Sequence, residues 1–205
     1  MVKLLKKIEF NPYYDILVFL GDYINKGQNS KKVLKLLKKL NAFETVILLL
    51  GNHEKKIIEF VEGVDEFGES LYFNGGIELS QSYGVEVDKC RDIKKLIADK
   101  DFIKDYKFIR KMKSIYLKDK YIFVHAGLNP EKSLKNQKLI DKVKVPARIY
   151  LNYTFFDKNE RKIISGHNPV RKVKKLQEKI LVDTGCGKGG FLSCIDLTND
   201  IVYST

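Results

Sequence analysis

Only three histidines occur in this 205-residue chain, and each stands at the end of an apolar run. ILLLGNHE ends in Asn52, His53 and Glu54; YIFVHAG presents His125; KIISGHNP presents His167. ILVFLGDYINKG presents Asp22 in the same way. A continuous apolar run reads as a buried strand, and in open α/β sheets ligands gather beyond the carboxyl ends of strands. Four such ends would bring together Asp22, Asn52, His125 and His167, a mixed nitrogen and oxygen set suited to a divalent transition metal. A lone histidine after a strand is more often a satisfied or exposed side chain. That bland explanation weakens when every histidine in the chain obeys one pattern.

The elements that must position these residues follow from periodicity. ILVFL (16–20) and VILLL (46–50) read as strands. Between them, 29–41 predicts a helix with Val33, Leu34, Leu37 and Leu40 inward, and 55–62 begins another. That alternation implies parallel strands joined by helical crossovers. VKLLKKIEFNPYYD at the start predicts an amphipathic helix with Val2, Leu4, Leu5 and Ile8 on one face. Residues 63–112 carry several glycines and one helical stretch, from about Ile93 to Met112. The second half turns to short strands: SIYL (114–117), YIFVH (121–125), KIISG (162–166), KILVD (179–183), LSCIDL (192–197) and IVYS (201–204). KDK (118–120) and GKGG (187–190) supply hairpin chemistry. Gly21, Gly51 and Gly166 each precede a candidate ligand, where a tight strand-to-loop turn favours tolerance of positive φ.

Composition narrows the class. Apolar content of 44% and charged content of 31% suit a globular chain of one domain, residues 1–205. No segment approaches the roughly 18 uninterrupted apolar residues of a membrane helix, and no signal-peptide pattern opens the sequence, so a cytoplasmic protein without membrane partners is expected. Cys90, Cys186 and Cys194 lack paired metal spacing and read as free thiols. The net charge of +12 invites a nucleic-acid reading, yet all but five of the 38 basic residues are lysine, on helix faces such as KKVLKLLKK (31–39). Base readout and bidentate phosphate clamps favour arginine, so specific nucleic-acid binding is not expected.

The ordered set GDYINKG (21–27), GNHE (51–54), HAG (125–127) and GH (166–167) resembles the calcineurin-like metallophosphoesterases, specifically their phosphoprotein-phosphatase branch. NGGIELSQSYG (74–84), VHAGLNP (124–130), SGHNPV (165–170) and DTGCGKGG (183–190) fit the same branch. The resemblance implies an α/β fold, a sandwich of two mixed sheets flanked by helices. It also implies two metal ions roughly 3.5–4 Å apart that activate a water and clamp a phosphoryl group. Asp22 would be the bridging carboxylate, with Asn52, His125 and His167 completing one ion's shell. His53 would be the general acid.

Departures from the family pattern shape the remaining expectations. The D-x-H-G motif, which would come before the first helix, is absent from this sequence, so the fold is expected without its first strand and N-terminally incomplete. One ion (Mn, Fe or Zn) is expected in this chain, and self-association through the exposed sheet edge. The partner of His53, an Asp in the family, is Asn25; some dinucleotide-cleaving relatives dispense with that Asp. The phosphate-binding Arg is Lys26, and a later Arg aligns with Asn152, with Arg148 one helical turn away as a substitute. The function expected is metal-dependent phosphoester hydrolysis on a phosphorylated protein or a small phosphoester. The alternatives are an inactive phosphatase fold and a dinucleoside polyphosphate hydrolase.

Overall fold

Lysine–leucine spacing builds one helix outright. In SKKVLKLLKKL, Leu34 and Leu37 are fully buried while Lys32, Lys35 and Lys39 face solvent, the one-sided stripe that stabilises a surface helix by burial. The structure is a computed structural model that describes residues 1–145, 155 and 160–205. In chain order, α1 (Val2–Lys7), β1 (Leu17–Phe19), α2 (Ser30–Leu40), β2 (Val46–Leu48) and α3 (Asn52–Val61) come first. Helices α4 (Glu69–Leu71), α5 (Ile77–Ser82) and α6 (Lys100–Ile109) follow, with a π-turn at Tyr72–Gly76 and a 3-10 segment at Cys90–Ala98 between them. Then come β3 (Ile115–Lys118), β4 (Tyr121–Val124), α7 (Leu139–Val143), β5 (Lys162–Ser165), β6 (Lys174–Lys175), β7 (Lys179–Leu181), β8 (Ser193–Asp196) and β9 (Ile201–Ser204).

These elements form two compact units. The first comprises Met1–Leu20, Thr45–Leu49 and Ser114–Thr205. Its main sheet has the order β3-β4-β5-β7-β6, with β4, β5 and β7 parallel and β3 and β6 antiparallel at the edges. Side chains alternate across it, as a pleated strand requires. Ile122, Val124, Ile163 and Leu181 pack on one face with Leu128 and Val145. Phe123, Ile164, Ile180 and Val182 pack on the other with Ile47 and Leu49. The unit's other strands form the parallel pair β1–β2 and the antiparallel hairpin β8–β9, in keeping with the mixed sheets expected. Of the predicted face of α1, Leu4 is buried but Val2 is 55% exposed, because only six residues are helical and one turn reaches the core.

The second unit comprises Gly21–Glu44 and Leu50–Lys113 and is helical. Ile57, Phe60, Leu71, Leu79, Phe102 and Ile109 form its interior with Leu34 and Leu37. Buried Asp105 accepts hydrogen bonds from the Tyr83 hydroxyl and the Lys38 ammonium, tying α2 to α6. A buried carboxylate is tolerable only when so paired. The single helix expected over 93–112 is two segments broken at Asp99, whose extended backbone and side chain, accepting from Phe102 N at 2.7 Å, form an N-cap. Helix α3 begins at Asn52 rather than 55, so the GNHE residues lie in its first turn. Cys90, Cys186 and Cys194 are free thiols.

Candidate active site

Backbone strain concentrates where the second unit carries its motif residues. Asp22, Asn25 and Lys26 have φ of 60°, 67° and 46°, a region non-glycine residues seldom enter. Each such residue costs about 1–3 kcal/mol and persists only where its surroundings over-determine it. At Asp22 one side chain contributes directly. Glu54, fully buried, accepts from Asp22 N (2.8 Å) and Gly51 N (2.9 Å) through Oε2 and from Tyr23 N (2.8 Å) through Oε1. Asp22 Oδ1 in turn accepts from His53 N at 3.1 Å. Burial pushes the Glu54 carboxyl up, to about 8, with the Asp22 charge acting in the same direction and the three N–H donors opposing.

The expected glycine chemistry holds at Gly21, with φ of 99°, but not at Gly51, whose φ is −98°, nor at Gly166. The expected ligand positions Asp22 and His167 take the left-handed conformation themselves. Gly51 is needed for space instead: a Cβ there would lie 2.2 Å from Asp22 Oδ1 and 2.5 Å from Asp22 N.

His53 is buried on α3, and Asn25 Nδ2 sits 2.9 Å from its Nδ1. An amide donating to Nδ1 places the ring proton on Nε2, 4.0 Å from Asp22 Oδ2. The Asn25 backbone is fixed by its N–H donating to Ser30 Oγ at 3.1 Å. Its Oδ1 is buried and has no hydrogen-bond partner among the described residues, a cost of about 1–3 kcal/mol. Asn52 opens α3 half-buried, and Lys26 is exposed.

In the first unit His125 follows β4 and is 2% exposed. Its Nδ1–H donates to Leu20 O at 2.7 Å, which leaves a lone pair on Nε2, the arrangement that orients a metal-binding imidazole. That Nε2 lies 3.2 Å from His167 Nδ1. Two nitrogens about 2.0–2.1 Å from a tetrahedral ion would stand about 3.3 Å apart, so the pair fits a shared cation. The backbone holds the spacing, since Gly166 N donates to His125 O at 2.8 Å.

Of the residues expected from sequence, Asp22, Asn25 and His53 are thus brought together in one unit and His125 and His167 in the other. Arg148 and Asn152 lie outside the described residues. Glu54 was missed as a site residue, although a glutamate three positions after the helix-preceding Gly51 is a capping-box signal.

Comparisons with known proteins agree with this chemistry. The family model for calcineurin-like phosphoesterases matches residues 1–190. A symmetrical bis(5'-nucleosyl)-tetraphosphatase from Nitrosospira multiformis is 28% identical over 138 residues, covering 67% of this chain and 42% of its own length. One from Actinobacillus succinogenes is 29% identical over 132 residues, covering 63% and 40%. The chain therefore spans about two fifths of the length of these relatives. Among solved structures, a protein provisionally assigned as a diadenosine tetraphosphatase superposes with a TM-score of 0.70 at 21% identity, covering 100% of this chain and 86% of that one. A serine/threonine phosphatase from Saccharomyces cerevisiae superposes with 0.56 at 17% identity, covering 94% and 66%. No helix among the described residues is long and apolar enough to cross a membrane. With strained motif loops, a paired histidine couple and a family match over most of its length, this chain belongs to the calcineurin-like phosphoesterases.

Proposed function

We propose that the chain hydrolyses a phosphoanhydride bond of a dinucleoside polyphosphate, with one divalent transition metal (Mn, Fe or Zn) held by Asp22, Asn52, His125 and His167. The curated relatives named for bis(5'-nucleosyl)-tetraphosphate cleavage support this substrate class over a phosphoprotein. The observation that carries the reading is Asn25 against Nδ1 of His53. A carboxylate there would stabilise imidazolium and so favour proton delivery to a poor leaving group such as a serine alkoxide. An amide gives no such help. A phosphate oxygen leaving an anhydride needs less, since a phosphate's second ionisation lies near about pH 6.

The metal, when bound, supplies water activation and charge neutralisation. The chain's own residues do the rest. Leu20 O holds His125 so that Nε2 presents its lone pair. As the water oxygen bonds to phosphorus and gives its proton to solvent, the anhydride P–O bond breaks and the phosphate departs as an anion, to which His53 Nε2–H donates a hydrogen bond. Lys26 offsets phosphate charge, with Arg148 and Asn152 as further substrate contacts. Lysine keeps the charge but lacks the planar fork that clamps two phosphate oxygens at once.

The test is hydrolysis of diadenosine tetraphosphate, p-nitrophenyl phosphate and a phosphoserine peptide, each with Mn²⁺. The dinucleotide is expected to show the highest kcat/KM. A preference for the phosphopeptide would overturn the reading.

A further inference from the structure

We infer that Glu54 is a positioning residue that sets the Asp22 carboxylate for metal binding, an inference that rests on the metal-dependent reading above. Three backbone N–H groups from two segments far apart in sequence converge on its carboxylate: Asp22 and Tyr23 from the turn after β1, and Gly51 from the approach to α3. Buried away from solvent, these three hydrogen bonds meet no competing water. They act here on a residue in the left-handed conformation, which an isolated aspartate seldom holds.

The geometry is reciprocal. Glu54 fixes the Asp22 backbone, and Asp22 Oδ1 takes the N–H of His53, the residue before Glu54. The turn and the first residues of α3 are thereby locked in one register, with the Asp22 carboxylate 4.0 Å from His53 Nε2. Gly51 leaves no slack, because even a methyl group would strike Asp22 Oδ1 and Glu54 Oε2. Released from Glu54, the turn would relax towards negative φ and carry the carboxylate out of that register. Helix α3 would survive, since its packing rests on Ile57 and Phe60, both buried.

Glu54→Gln replaces one acceptor oxygen by an amide NH₂ that would face backbone N–H groups. It is expected to weaken Mn²⁺ binding, measured by calorimetry on protein that retains a cooperative melt, by roughly 10–100-fold, the range for residues that orient metal ligands. Hydrogen exchange supplies the readout that general destabilisation would not give. Amides of Asp22, Tyr23 and Gly51 should be protected in the metal-free unsubstituted protein. In Glu54→Gln they should exchange freely while amides of Glu59–Val61 in α3 stay protected.

Folded Glu54→Gln with unchanged Mn²⁺ affinity would overturn the inference alone. No Mn²⁺ binding by the unsubstituted protein would remove the reading beneath it, and the inference with it. Should Glu54→Gln fail to fold, exchange in the unsubstituted protein still decides. Unprotected Asp22 and Tyr23 amides would refute the clamp, and protected ones would support it.

Discussion

Asn25 Nδ2 and His53 Nδ1 stand 2.9 Å apart, both residues buried in the helical unit, the amide donating and the ring accepting. Asn25→Asp reverses that bond: a carboxylate would accept from Nδ1–H and favour imidazolium. Activity on p-nitrophenyl phosphate or a phosphoserine peptide should rise, by less than the roughly 10²–10⁴-fold a complete general acid contributes. The rate on diadenosine tetraphosphate should change far less. Parallel kcat measurements on the two substrate types check this; an equal gain on both would contradict the leaving-group argument.

Gly51→Ala should damage the site more than its size suggests. The new Cβ would press on Asp22 Oδ1, Asp22 N and Glu54 Oε2 at 2.2, 2.5 and 2.8 Å, so overpacking of about 1–3 kcal/mol is expected, together with weakened Mn²⁺ binding. Gly27→Ala is the control, because its Cβ would meet only Asn25 O, at 3.7 Å. Thermal melts of the two variants should separate clearly, and equal melting temperatures would count against the tight fit at Gly51.

Metal loading followed by elemental analysis should find one equivalent of Mn²⁺ per chain. His125→Ala should abolish it, since His125 presents Nε2 3.2 Å from His167 Nδ1. Two tightly held equivalents in the unsubstituted protein would contradict the one-ion proposal.

Lys26 is exposed, with φ of 46°, so any charge it contributes to a substrate is screened by water. Lys26→Ala should raise KM for diadenosine tetraphosphate roughly 2–5-fold, the scale of an exposed charge pair, with the difference shrinking as salt is added. A KM unchanged at low salt would remove Lys26 from substrate binding.

The sequence by itself determined which residues could do chemistry and which elements carry them. Strand-end placement marked Asp22, Asn52, His125 and His167, because a continuous apolar run is legible without knowing its neighbours. The periodicity of α2 was legible for the same reason, and so were the losses at Asn25 and Lys26, being changes of residue type within a motif. Tertiary structure decided the rest. Whether Gly51 needs positive φ or merely empty space depends on Asp22, 29 positions away in the sequence. The break of the 93–112 helix depends on Asp99 finding Phe102 N rather than continuing the turn. Above all, the role of Glu54 was hidden. A glutamate in a first helical turn looks like a local cap, and only the fold brings the N–H groups of Asp22 and Tyr23 to its carboxylate. Burial then makes those bonds strong, because no water competes for the acceptor.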